Sequence, residues 1–185
     1  METVLTETYG HSSEHVRLEG VESFAALFEA YSVRITSYLA RVVGDRQLAE
    51  DLAQETFLKA YRALAGGQVI DRGSPWLYTI ATNTALSALR RRRLLSFFSL
   101  QSHHVWHDRT GDPESFAERE PVLRALGMLS PEQRTVLLLC LYEGLSYHEA
   151  GKVLGVSSEV IKGRVYRARQ AFIKSYRALT QGSET

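Results

Sequence analysis

The residues with the clearest chemical potential in this sequence are a run of cations: Lys162, Arg164, Arg167, Arg169, Lys174 and Arg177. Between Ser158 and Arg177 they meet one acid, Glu159, leaving a local excess of five positive charges in a chain of formal net charge +1. Such charges bind phosphate, and lysine or arginine side chains on a helix also reach base edges in the DNA major groove. Ser158 and the backbone N–H groups at the start of that helix suit phosphate as well. A basic helix merely washed by solvent is the bland alternative, and what precedes the run argues against it. LSYHEAGKVLGV supplies a short helix with the small residues Ala150 and Gly151 where two helices must cross closely, then a glycine turn. Val160, Ile161 and Val165 give the basic helix an inward side. That is the grammar of a helix-turn-helix, with the basic helix as reader.

Two further stretches carry candidate chemistry. In EDLAQETFLKAYRAL, the residues Leu48, Leu52, Phe57, Tyr61 and Leu64 recur at roughly helical spacing and form one apolar stripe, with Asp45 as N-cap. On the polar side Glu50, Asp51, Gln54 and Glu55 form an acidic block, followed by Lys59 and Arg62. Either this is a solvated face, whose best ion pair, Glu55 with Lys59, is worth a few tenths of a kcal/mol, or it docks on a basic partner. In SPWLYTIATNTALSALRRRR, Ser74 is the expected N-cap and Pro75 the first helical residue. Trp76 and Tyr78 offer flat faces, Asn83 an amide able to pair with a base edge, and Arg90, Arg91, Arg92 and Arg93 a dense positive patch for phosphates. Trp76 is equally suited to a core, Asn83 to a cap or bridge within its domain, and four arginines at a helix end to satisfying its dipole.

Composition narrows the function classes. At 44% hydrophobic and 23% charged residues the chain is an ordinary globular protein, and its near-neutral balance makes any nucleic-acid surface local. The single cysteine, Cys140, lies in the apolar run VLLLCLY and reads as a small buried hydrophobe, without a second thiol for a disulfide or thiolate metal cluster. His103, His104 and His107 lack a cysteine or carboxylate at ligand spacing, so no metal is expected. There is no nucleophile with a paired base, no clustered acids for metal-dependent phosphoryl transfer and no phosphate loop followed by lysine, so neither enzyme activity nor a cofactor is expected. No stretch is apolar enough to span a bilayer and the N-terminus does not read as a signal peptide, which leads to the expectation of a cytoplasmic protein.

The elements that position these residues are all helical. A helical pattern starts at Ser23 and stops at Gly44; the acidic-block helix ends near Gly66-Gly67; the third runs from Trp76 through Arg93. Periodicity collapses between about Leu94 and Glu118 and resumes with PVLRALGML. Capping boxes at SPEQ (Ser130 to Gln133) and SYHE (Ser146 to Glu149) open two more helices, and Ser157 can cap the last. The expected architecture is all-α: two small helical domains, 21–93 and 119–180, joined by a flexible linker over 94–118, with tails at 1–20 and 181–185.

The three motifs, in this order, resemble the extracytoplasmic-function group (group IV) of the sigma-70 family of bacterial RNA polymerase specificity subunits. DRQLAEDLAQETFLKAYRAL is similar to its region 2.2, SPWLYTIATNTALSALRRRR to regions 2.3 and 2.4, and the helix-turn-helix to region 4.2. The resemblance implies that Asp51, Gln54 and Glu55 dock on the β′ clamp helices of core RNA polymerase, with the β flap as a second polymerase contact. It implies that Trp76, Tyr78, Asn83 and Arg90 to Arg93 hold the opened −10 element, one base of which flips into a pocket made by the loop Gly66 to Gly73. It implies that Ser158, Lys162, Arg164, Tyr166 and Arg167 meet the −35 element as duplex. The linker segment LLSFFSL and Trp106 would contact polymerase, and an anti-sigma factor is a possible further partner. Two positions depart from the family: members often carry an acid near Ser87, and Gly163 stands where they usually have a small hydroxyl residue. The alternative function is a helix-turn-helix regulator that binds duplex DNA without joining polymerase.

Overall fold

The computed structural model describes residues 20–70, 73–96 and 113–181. Three helices build the first module: α1 (Gly20–Val43), α2 (Arg46–Ala65) and α3 (Gly73–Ser96). Gly44, at φ 73°, lets the chain turn between α1 and α2 where a side chain would be strained. Asp45 then caps α2 by accepting the Leu48 N–H, as its place in the sequence predicts. The buried side of α2 is richer in small residues than its apolar stripe implied: Ala49, Ala53, Thr56 and Ala60 lie beside Leu52, Phe57 and Leu64. Tyr61 stays half exposed, its ring edge-on to Phe24 at 5.3 Å, while Phe28 stands edge-on to Phe57 at 4.9 Å. Helix α3 starts at Gly73, two residues before the expected Pro75, so Ser74 lies inside its first turn instead of capping it, with Pro75 still in that turn, where no intrahelical donor is needed.

The second module holds α4 (Pro113–Gly127), α5 (Pro131–Leu137), α6 (Tyr147–Leu154) and α7 (Ser158–Gln181). Helix α4 extends back to Pro113, into the span read as linker, and it carries Pro121 in its interior, a residue that ordinarily argues against a helix running through it. Both capping boxes form: Ser130 and Gln133 satisfy each other's backbone N–H groups, and so do Ser146 and Glu149. Helix α5 continues into one π-helical turn, Leu138–Tyr142, closed by Glu143. Gly155 ends α6 in the left-handed conformation at φ 66°, and the Ser157 hydroxyl accepts the Val160 N–H at the start of α7.

The two modules pack on one another. A continuous apolar cluster runs through both, with Tyr38, Leu77 and Tyr78 from the first and Leu139, Ala150 and Val165 from the second. Helix α6 lies against α3, and α5 against α1. Arg134 of α5 is buried and donates from Nε to the Leu126 carbonyl (2.8 Å), from Nη2 to those of Gly127 (3.0 Å) and Leu129 (3.1 Å), and from Nη1 across to that of Val42 in α1 (2.7 Å). Burial lowers its pKa to about 10, which still leaves it charged at neutral pH. Cys140 is half-buried, its thiol pushed up to about 11 by burial, in keeping with an inert packing role.

Candidate nucleic-acid interface

In the second module a close crossing positions the reader helix. Gly151 of α6 accepts the Val156 N–H at 2.9 Å, and a Cβ built on Gly151 would stand 2.6 Å from the Val156 carbonyl oxygen, so α6 tolerates no side chain there. Beyond the turn, Ile161, Val165 and Ala168 are buried along one face of α7, whereas Val160, expected to point inward with them, sits beside that face and is 42% exposed. Lys162 and Arg167 lie exposed on other faces, Tyr166 is 64% exposed, and Arg164 is partly buried. Arg167 Nη1 lies 3.5 Å from the place a Cβ on Gly163 would occupy, an ordinary contact distance. The Ser158 hydroxyl donates to Glu159 Oε1 at 3.2 Å. Backbone and side-chain hydrogen bonds at the start of α7 hold the Glu159 carboxyl below its usual range, so the first turn of α7 already carries a negative charge.

On α3, residues seven apart share a face, because seven steps of 100° nearly close two turns. Trp76, Asn83 and Arg90 therefore form one stripe, about 21 Å long at 1.5 Å per residue. Trp76 is partly buried against the core, and Asn83 is exposed with no hydrogen bond to another described residue. Arg90 folds back onto its own helix, to the Leu86 carbonyl and the Ser87 hydroxyl, both at 3.3 Å. Arg91 and Arg93 are exposed, whereas Arg92 pairs with Asp45 at 3.1 Å. Tyr78 is not on the stripe. Two residues on from Trp76, it points to the opposite side of the helix. Its ring is fully buried, edge-on to Tyr38 at 5.2 Å, and its hydroxyl donates to Glu143 of the second module. In this arrangement Tyr78 offers no open face to a base.

On α2 the acidic block divides into two parts. Glu50 is paired with Arg46 at 2.9 Å and Glu55 with Lys59 at 2.7 Å, while Lys59 also donates to the Thr84 hydroxyl of α3. Asp51 and Gln54 are exposed with no hydrogen bond or ion pair to another described residue. Leu58, one and two turns further along the same face, is 48% exposed. Sequence reasoning missed Leu58, although an apolar residue at that spacing on a polar face was its visible signal. It also missed Arg34 and Glu143, whose pairing across the modules leaves no local trace in the sequence. The pocket loop is described only in part, since residues 71–72 fall outside the described residues; so do the linker histidines His103, His104 and His107, with LLSFFSL from residue 97 on and Trp106. Among the described residues no group of three or more His, Cys, Asp or Glu is placed to hold a metal. No helix among them is long and apolar enough to cross a membrane.

Two family patterns match this chain: Sigma-70 region 2 over residues 27–94 and Sigma-70, region 4 over residues 119–172. The RNA polymerase sigma factor CarQ of Myxococcus xanthus is 34% identical over 83% of this chain and 89% of its own length. The chain belongs to the sigma-70 family. A second sigma factor, RNA polymerase sigma-H factor of Pseudomonas aeruginosa, is 33% identical over 90% of this chain and 92% of its own. Several other relatives carry the extracytoplasmic-function (ECF) designation. Among solved structures, the sigma factor RpoE in complex with the anti-sigma factor NepR from Bartonella quintana matches with a TM-score of 0.70 and 25% identity, covering 85% of this chain and 98% of that one. This sigma-70 member is an alternative sigma factor of the ECF group: it binds core RNA polymerase and directs it to promoter DNA. Its family is one of transcription initiation factors.

Proposed function

We propose the following division of labour among this sigma factor's surfaces. Asp51, Gln54 and Glu55, with Leu58 beside them, dock on the basic β′ clamp helices of core polymerase; the two hydrogen-bonding groups left unpaired, Asp51 and Gln54, are the observation that carries this reading. The α3 stripe of Trp76 and Asn83, with Arg90, Arg91 and Arg93, holds the unpaired −10 strand by stacking and by charge. Tyr78 supports that stripe from beneath, and Arg92 fixes the end of α3. Lys162, Arg164, Tyr166 and Arg167 read the −35 duplex, with Ser158 at the phosphate-facing start of α7. The protein works in the cytoplasm, where polymerase and promoter are, and the anti-sigma partner of its structural neighbour makes an inhibitor of that kind a candidate partner here.

Run-off transcription from fragmented genomic DNA, with core polymerase and with or without this protein, tests the reading. New discrete transcripts that require the protein are expected. Tight duplex binding by the protein alone, without new transcripts, would favour a regulator that never joins polymerase.

A further inference from the structure

Glu159 is the one anion among the charges from Ser158 to Arg177, and it stands in the first turn of α7. In a helix-turn-helix the N-terminal residues of the reader helix are those that meet base edges in the major groove. At about 100° per residue, Glu159, Gly163, Tyr166 and Gln170 fall in one line, on the side of α7 turned away from the buried Ile161, Val165 and Ala168. The three side chains on that line are all exposed.

The carboxylate is open to a ligand and already set in place. Helical side chains lean toward the N-terminus, so a side chain at position 163 would cover the turn that carries Glu159. Glycine there leaves that turn uncovered. Its own backbone N–H, then the hydroxyls of Ser157 and Ser158, hydrogen-bond the Glu159 carboxyl and keep it ionised. The Ser158 bond reaches Oε1 at 3.2 Å.

A carboxylate among DNA phosphates is repelled, so an acid on this face weakens binding to every sequence unless a base compensates it. In the major groove only cytosine N4 and adenine N6 are donors, whereas guanine and thymine present acceptors. Adenine's donor stands beside its own N7 acceptor, while cytosine's stands beside a C–H. A carboxylate can only accept, and therefore fits cytosine best.

We infer that Glu159 is a specificity-determining residue of this sigma factor: its carboxylate accepts from N4 of one cytosine in the −35 element and disfavours every other base at that position. The inference rests on the assignment of α7 to the −35 duplex, and it gives that cationic surface its one anionic acceptor.

The test uses the full chain bound to core RNA polymerase, on a promoter that responds to it in run-off transcription, with the −35 element randomised. Bound DNA is selected and sequenced for wild type, Glu159→Ala and Glu159→Gln. Glu159 is exposed, so neither variant empties a buried site. Wild type should select cytosine at one position, each other base there weakening binding by at least about fivefold. Glu159→Ala should make that position indifferent while the remaining −35 preferences persist. Glu159→Gln should move it toward adenine, whose N6 and N7 suit the donor and acceptor of an amide. A cytosine preference that survives in Glu159→Ala would overturn the inference and leave α7 as the reader. So would an affinity change equal on all sequences, which would make Glu159 a general charge. Wild-type selection with no preference at any −35 position would sink the α7 assignment itself, and this inference with it.

Discussion

Arg92 reaches from the last turns of α3 to place Nη1 3.1 Å from Oδ2 of Asp45, whose other carboxylate oxygen accepts the Leu48 N–H at 3.1 Å. One carboxylate thus caps α2 and ties the far end of α3 to it. Asp45→Ala should lose the cap, about 1 kcal/mol, plus the partly exposed ion pair, up to about 1 more. Arg92→Ala loses only the pair, and should cost less DNA affinity than Arg91→Ala because its charge is already engaged. Urea unfolding and binding to a −10 single strand check both; equal DNA losses for the two arginines would show that Arg92 is free to leave Asp45.

Two glycines of the helix-turn-helix should respond to alanine with opposite signs. At Gly151 the added methyl meets the backbone oxygen of Val156 at 2.6 Å, and a clash with backbone should cost about 1–3 kcal/mol. At Gly163 the nearest atom is the far end of Arg167 at 3.5 Å, and the entropy saved should stabilise α7 by about 0.5–1 kcal/mol. Unfolding midpoints of the two variants decide the matter; a stabilised Gly151→Ala would mean the two helices cross less closely than described.

Asp51→Arg combined with Glu55→Arg should abolish binding to core polymerase while leaving the melting temperature nearly unchanged, since the Glu55–Lys59 pair it breaks is worth only a few tenths of a kcal/mol. Duplex binding through α7 should persist. Undiminished polymerase affinity would remove the acidic face from the interface.

Closure of the two modules on one another should depend on pH. Burial raises the Glu143 carboxyl above its usual range, more than the Tyr78 and Arg34 hydrogen bonds and the Arg34 and Arg41 charges lower it. Tyr38, the other titratable neighbour on α1, is itself pushed up by burial and stays neutral. An acid whose closed-state value is raised binds its proton more tightly when closed. Its contribution to closure is therefore complete below the ordinary carboxylate value and is lost as pH rises through the raised one. Scattering across the weakly acidic range should show a chain that expands as pH rises, and Glu143→Gln should flatten that dependence. A wild-type profile as flat as the variant's would mean that Glu143 does not titrate in the closed state.

Much of this fold is local physics and could be read from residue types. The capping boxes at Ser130 and Ser146, the cap at Asp45 and the turn at Gly155 each rest on side chains within three or four positions of the group they satisfy. The placement of α7's apolar face followed from Ile161 and Val165 in the same way. Helical arithmetic applied to Trp76 and Tyr78 would also have put the two on opposite sides of α3. The contact of Glu143 with Arg34 and Tyr78 joins residues 109 and 65 positions apart, and nothing near any of the three marks it. The π-helical turn that sets Glu143 in place is likewise a tertiary outcome, since VLLLCLY fits an ordinary helix equally well.

The four bonds of Arg134 have a mechanical consequence. Three end on carbonyls of its own module and one, to Val42, on the other. If the modules are pulled apart, Arg134 behaves as a peg rooted in one block with only its tip in the facing socket. The tip gives up the bond to Val42 while the three named carbonyl bonds of the root stay made, so the second module leaves with its buried cation still held. Glu143 has both of its named partners across the joint. A load applied between the two blocks therefore falls on those two bonds together with the apolar cluster that runs through both modules.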